Sequence, residues 1–389
     1  MADGIAGETQ VMVITHLFAD GLSELNSSWW RGKISIEALR RAGHTVYSPH
    51  IDQWFKDTPE LHRIVNGSDL IVIQRVMVEE SLERIRFWKA RGRAICTDMD
   101  DSYGLLSDEK ESGNQASKFW HDGKVEIGYG GGIKYEKVLS KHPLDQFATG
   151  CSMINGLTMP SKILMEDWQW AAPCYYIPNF IDSPRYLPSR QKSLPHNPAN
   201  MVIGWGGSLS HINSFKKSGV AEALSRVFRQ RKNVLFMLCG DKRIIDLLPI
   251  PRDRIIYRPY VMAQDWPKVL CDFDIGLAPL FGRYDHSRSA IKSEEYSIMG
   301  IPFVATGCPT YHEWQDRGVG LYVNDGAETG PDRKRREDEW EAHLLSLLDN
   351  YAEHKDNIDS QFEIAMEYDI DRNVPYIVKT YDEIIHNGR

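Results

Sequence analysis

Cysteine is sparse in this 389-residue chain, and its spacing suits neither a metal nor a disulfide framework: the six stand at 96, 151, 174, 239, 271 and 308, with no Cys-x-x-Cys. Several lie in apolar runs, so they read as reduced core thiols. No stretch approaches the roughly eighteen apolar residues of a membrane span, and the opening MADGIAGETQ has neither region of a signal peptide. We therefore expect a cytoplasmic protein with no transmembrane segment. Positive charge is not in excess either. Asp and Glu number 54 against 46 Lys and Arg, a formal net charge of -8, which argues against nucleic acid as the default partner while leaving room for a local basic cleft. Gly130-Gly131-Gly132 has no Gly-Lys-Ser after it and no strand expected before it, so a hinge is expected there rather than a phosphate loop. The surrounding stretch 107–133, rich in Gly, Lys, Asp and Ser, reads as a mobile excursion that would serve as a lid.

What is present is enough for two domains of ordinary size, at 42% hydrophobic and 26% charged residues. Apolar runs at Val11–Thr15, Thr45–Tyr47, Asp69–Gln74 and Arg93–Thr97 alternate with helical patterns, including one from Lys33 to Gly43 and one from Val78 to Arg91. That alternation predicts a doubly wound parallel sheet. The last of these strands ends in Asp98-Met99-Asp100-Asp101. Three readings compete for this cluster: a divalent-metal site, a cleft-facing group that binds substrate hydroxyls or a proton, and a solvated, helix-capping loop. Asp98 and Asp100 are the candidates for the cleft role, with Asp101 placed to cap whatever follows.

The segment Cys174–Asp182 ends in Ile177-Pro178-Asn179, where proline stops the strand. Residues 183–198 contain four prolines and read as a linker. A second unit opens with Met201–Gly207, a strand running into the turn Gly206-Gly207-Ser208, and helical sequence follows through Phe228. Glycines there let backbone N–H groups approach an anion. Ser208 and His211 are the side chains nearest that turn.

The stretch Asp274–Thr306 reads as strand, loop, helix, strand. Ligands in α/β sheets lie beyond the carboxyl ends of strands, so the loop Gly282–Ser289 and the first turn of the next helix fall at a ligand position. Arg283, Arg288 and Lys292 beside a helix start suit phosphate. A carboxylate one turn further on suits a ribose diol.

Lys292, Glu295, Tyr296, Gly300, Pro302 and Val304 resemble the Lys-x-x-Glu-Tyr-x-x-x-Gly-x-Pro-x-Val signature of GT-B glycosyltransferases, in particular the retaining family 4 group. The resemblance extends to Ile177–Asp182 and to Gly204–His211. It implies the GT-B fold: two Rossmann-like, doubly wound parallel-sheet domains facing across a cleft. The implied division is an acceptor-binding domain at 1–183, a nucleotide-sugar-binding domain at 199–365, and a final helix at about 366–389 packing back on the first. It further implies a nucleoside-diphosphate sugar as co-substrate, no other cofactor, no metal, and transfer to an acceptor hydroxyl with retention. Glu295, with Glu294 beside it, would bind ribose. The family's other acidic position is Ser287 here, so Ser287, Arg288 and Ser289 would take the diphosphate. Arg288 and Lys292 would stabilise the leaving group, and Asp98 and Asp100 would serve the acceptor. A saccharide, a small molecule, a protein or a modified DNA base are all open as acceptors. Two alternatives stand beside this reading: a DNA-base glycosyltransferase using arginines such as Arg31, Arg40, Arg41, Arg84 and Arg93 as a groove, and a catalytically degenerate sugar-nucleotide-binding protein.

Overall fold

The computed structural model describes residues 11–19, 27–106, 115–129, 133–190 and 199–387. The first sheet contains β1 (Val13–Leu17), β2 (Thr45–Tyr47), β3 (Leu70–Gln74) and β4 (Ala94–Asp98), then, after the hairpin of β5 (Lys124–Tyr129) and β6 (Ile133–Val138), β7 (Gly156–Met159) and β8 (Cys174–Tyr176). Its order is β2-β1-β3-β4-β7-β8, with every pairing parallel. The second sheet holds β9 (Met201–Gly207), β10 (Val234–Gly240), β11 (Ile255–Arg258), β12 (Ile275–Ala278), β13 (Phe303–Gly307) and β14 (Leu321–Asn324). Its order is β11-β10-β9-β12-β13-β14, again all parallel. The central strands LIVIQ and AICTD are buried at every position, as strands covered by helices on both faces must be.

Each sheet lies between two hydrophobic clusters, one per face. Ile71, Ile73, Ile95 and Leu157 point to one side of the first sheet, and Ile14, Leu70, Val72 and Cys96 to the other. The final helix, Ile370–His386, supplies Val374, Ile377, Tyr381 and Ile384 to the second of these clusters, so the chain's end packs on the first sheet. The chain crosses between the sheets twice, and the two crossings pair with each other. Ile181 N–H donates to Tyr368 O, and Ile370 N–H donates to Ile181 O, both at 2.9 Å.

Two local readings are corrected. Residues 183–190 are not extended linker but a helix, Ser183–Arg190, packed on the helix Ile291–Met299. Pro184 sits in its first turn, where the missing N–H costs nothing; Arg190 then ties it down by donating to Ile298 O at 2.7 Å. A strand, β5, does run up to the triple glycine and pairs antiparallel with β6. Its Val, Ile and Tyr carry strand preference without forming an apolar run. The lid expected over 107–133 lies partly outside the described residues.

Candidate active site

In the second sheet the strand order reverses between β9 and β12, so the loops after these two strands leave on opposite sides of a crevice. The Gly206–His211 turn follows β9; the stretch after β12, expected as the loop Gly282–Ser289, opens instead with a short helix, Gly282–His286. Between them and the first sheet lies a cleft of about 390 Å³. Gly206, Gly207, Ser208, His211, Arg288, Ser289, Lys292 and Glu295 line it from the second domain, and Asp100, Asp101 and Arg31 from the first. Gly206 has to be glycine, because a Cβ there would stand 2.3 Å from the Trp266 ring.

The cations on the second domain's wall of the cleft are held in fixed orientations. Arg288 Nη1 donates to His211 Nε2 at 2.7 Å, and its Nε stands 3.2 Å from Asp285 Oδ1. Burial, then Arg288 and Lys292, push His211 well below the ordinary histidine range, so the ring is neutral and its Nε2 can accept from an arginine, which only donates. Lys292 reaches back to Gly206 O and lies 5.2 Å over the Trp205 ring. Burial lowers its ammonium to about 8. Glu295 Oε1 accepts from the Tyr186 hydroxyl at 2.9 Å; burial raises this carboxyl to about 7, against the pull of Lys292, Tyr186 and Trp266.

Four of the anticipated residues sit behind the cleft rather than on its wall. Ser287 is fully buried and donates to Tyr284 O at 2.7 Å. Tyr296 donates to Leu277 O at 2.9 Å and packs against Gly276, where a Cβ would come within 2.7 Å of its ring. Glu294 is buried and does not line the cleft, and burial, then Glu295 and Glu313, raise it well above the carboxylate range. Asp98 is also buried: Arg31 Nη2 donates to its Oδ1 at 2.7 Å and Nε to its Oδ2 at 3.1 Å, and Thr158 adds a bond at 2.7 Å. Burial pushes the Asp98 carboxyl up, with Arg31 and Thr158 opposing.

Asp100 does face the cleft. Its carboxyl is held below the ordinary range because Arg75, Ser27, Tyr103 and Arg31 outweigh the effect of burial. Asp101 is tied across the cleft, accepting from the Tyr284 hydroxyl at 2.8 Å, and burial followed by Asp100 raises it to about 6. It caps no helix. Among the described residues no group of three His, Cys, Asp or Glu is arranged to hold a metal ion.

Sequence reasoning did not assign Tyr186, Asn179 or Tyr284 to the site, and it treated Arg31 as groove charge. Asn179 joins the two domains: Arg31 Nη1 donates to its Oδ1 at 3.0 Å, and its Nδ2 donates to Ser289 Oγ at 2.7 Å. The Ile-Pro-Asn exit was a signal for Asn179, but nothing local marks the other three, because their partners lie 67 to 183 residues away.

No family profile matches the chain, and no curated protein does. Solved structures do. Sucrose-phosphate synthase from Thermosynechococcus elongatus aligns over 95% of this chain and 98% of its own at 11% identity, with a TM-score of 0.60. WaaG, a glycosyltransferase involved in lipopolysaccharide biosynthesis, aligns over 94% and 99% at 13% identity, with a TM-score of 0.59. The catalytic domain of starch synthase IV from Arabidopsis thaliana aligns over 97% and 99% at 10% identity, with a TM-score of 0.58. At such identities the likeness concerns architecture alone, and with two six-stranded parallel sheets, a double crossover and a cleft at the second sheet's switch point, the chain has the GT-B fold.

Proposed function

We propose that the chain is a glycosyltransferase that moves a sugar from a nucleoside diphosphate to an acceptor hydroxyl, with retention at the anomeric carbon. The observation that carries this is the convergence of Arg288, Lys292 and Glu295 on one wall of the switch-point crevice, opposite the Gly206-Gly207 turn. Two cations and the backbone of a glycine turn suit a diphosphate. A carboxylate one helical turn beyond Lys292 suits a ribose diol, which donates two hydrogen bonds to it. The fold neighbours include a starch synthase domain solved with ADP and acarbose, which supports a nucleotide in this crevice.

Departure of the diphosphate is the costly step, and preorganised positive charge lowers its barrier. Arg288 is already oriented by His211 and Asp285, and Lys292 by Gly206 O, so little reorganisation is needed as negative charge grows. The acceptor approaches from the first domain, where Asp100 offers a carboxylate to its hydroxyl. The acceptor's proton leaves with the departing phosphate oxygen on the same face, so no strong base is required.

A DNA acceptor is less well supported, because the arginines that would form its groove are engaged. Arg31 is buried on Asp98, Arg84 pairs with Asp57, Arg41 with Asp371, and Arg40 donates to Val46 O. The deciding experiment is a thermal-shift panel of UDP-, GDP-, ADP- and dTDP-sugars followed by calorimetry. One nucleotide series should stabilise the fold, and a flat response to all four would reject the reading.

A further inference from the structure

Tyr284 belongs by sequence to the short helix Gly282–His286 after β12, yet its ring is buried in the hydrophobic cluster of the first sheet, together with Met99, Tyr103 and Trp120. Its hydroxyl is shared across the cleft. It donates to Asp101 Oδ2 at 2.8 Å and accepts from Arg288 Nη2 at 3.0 Å, while the Arg288 guanidinium lies 4.7 Å from the same ring. The guanidinium's other contacts, to His211, Ser210 O and Asp285, all come from the second domain. The Tyr284 hydroxyl is thus a hydrogen-bonded link between Arg288 and the first domain, beside the direct Coulomb attraction of Asp101.

We propose that Tyr284 is a positioning residue for Arg288, its hydroxyl setting the guanidinium toward the donor diphosphate only when this short helix is seated in the first domain. This inference rests on the donor reading given above. A hydroxyl that gives its proton to a carboxylate is a better acceptor for a cation, so the Arg288–Tyr284–Asp101 chain is mutually reinforcing. The ring supplies docking, and the hydroxyl supplies direction. Without the hydroxyl, Asp101 would have neither oxygen satisfied, because its Oδ1 already has no partner among the described residues.

The test compares Tyr284→Phe, which keeps the ring, with wild type in calorimetric titrations of UDP, GDP and ADP and of the matching nucleosides. For the nucleotide that wild type binds, we expect affinity for the diphosphate to fall about tenfold while affinity for the nucleoside is unchanged. In an Arg288→Ala background the same change should add nothing further. Asp101→Asn provides a second variant that leaves the ring and its hydroxyl in place, and it should lower diphosphate affinity in the same selective way. An unchanged ratio of diphosphate to nucleoside affinity in Tyr284→Phe, or full additivity with Arg288→Ala, overturns the positioning role while leaving the donor reading intact. Wild type that binds none of the three diphosphates, nor dTDP, overturns both.

Discussion

Tyr186 donates its hydroxyl to Glu295 Oε1 at 2.9 Å, joining the helix that leaves the first domain to the helix that carries the Lys-x-x-Glu pair. The contact is buried, and burial pushes both groups toward their neutral forms. The carboxylate is therefore fixed in direction before any ligand arrives.

Replacing Glu295 by Ala should weaken nucleotide binding by about 1.5 to 3 kcal/mol, the usual cost of losing a charge-assisted bond. Tyr186→Phe should cause a smaller loss, since it frees the carboxylate without removing it. Calorimetry on the folded variants measures both, and unchanged affinity in Glu295→Ala would remove the ribose role.

Nucleotide affinity should be bell-shaped in pH. Glu295, raised from 4.5 to about 7, binds a diol as the anion and so gains as pH rises through about 7. Lys292, lowered from 10.5 to about 8, holds phosphate as the cation and loses as pH rises through about 8. The optimum falls between these values. Linkage adds a check on the ligand-free protein: a raised carboxyl contributes stability below its ordinary value that is lost as pH rises through about 7. Glu295→Gln should accordingly gain on wild type in thermal melts between about pH 5 and about pH 8.

The acidic cluster should divide into a structural and a functional half. Asp98→Ala leaves Arg31 as a buried cation without its partner and should cost about 3 to 5 kcal/mol in denaturant unfolding. Asp100→Asn, on the cleft wall, should leave nucleotide affinity and stability near wild type and slow transfer. Transfer at the wild-type rate in that variant would leave the acceptor side without a carboxylate role.

Transfer should also proceed in excess EDTA. Arg288, Lys292 and the backbone of the glycine turn together bring the positive charge that a metal would otherwise supply. Activity that chelator abolishes and manganese restores would reassign the cluster around Asp100.

Alternating apolar runs and helical periods made the two parallel sheets legible in the sequence, because strands buried on both faces must be apolar throughout and their crossovers must be helical. The cleft-facing Lys292 and Glu295 were legible for a related reason. Both lie near the start of the helix Ile291–Met299, where local spacing sets their direction. Ser287 and Tyr296 share that stretch, but three-dimensional packing turned their side chains toward Tyr284 O and Leu277 O. Asp98 and Asp100 alternate along one chain segment, yet only the presence of Arg31, reaching from 67 residues away, made the first a buried ion pair and left the second on the cleft wall. Local sequence determines backbone period and the reach of neighbouring side chains. Which polar group pairs inside and which faces the cleft depends on desolvation and on partners distant in sequence, and only the tertiary structure decides that.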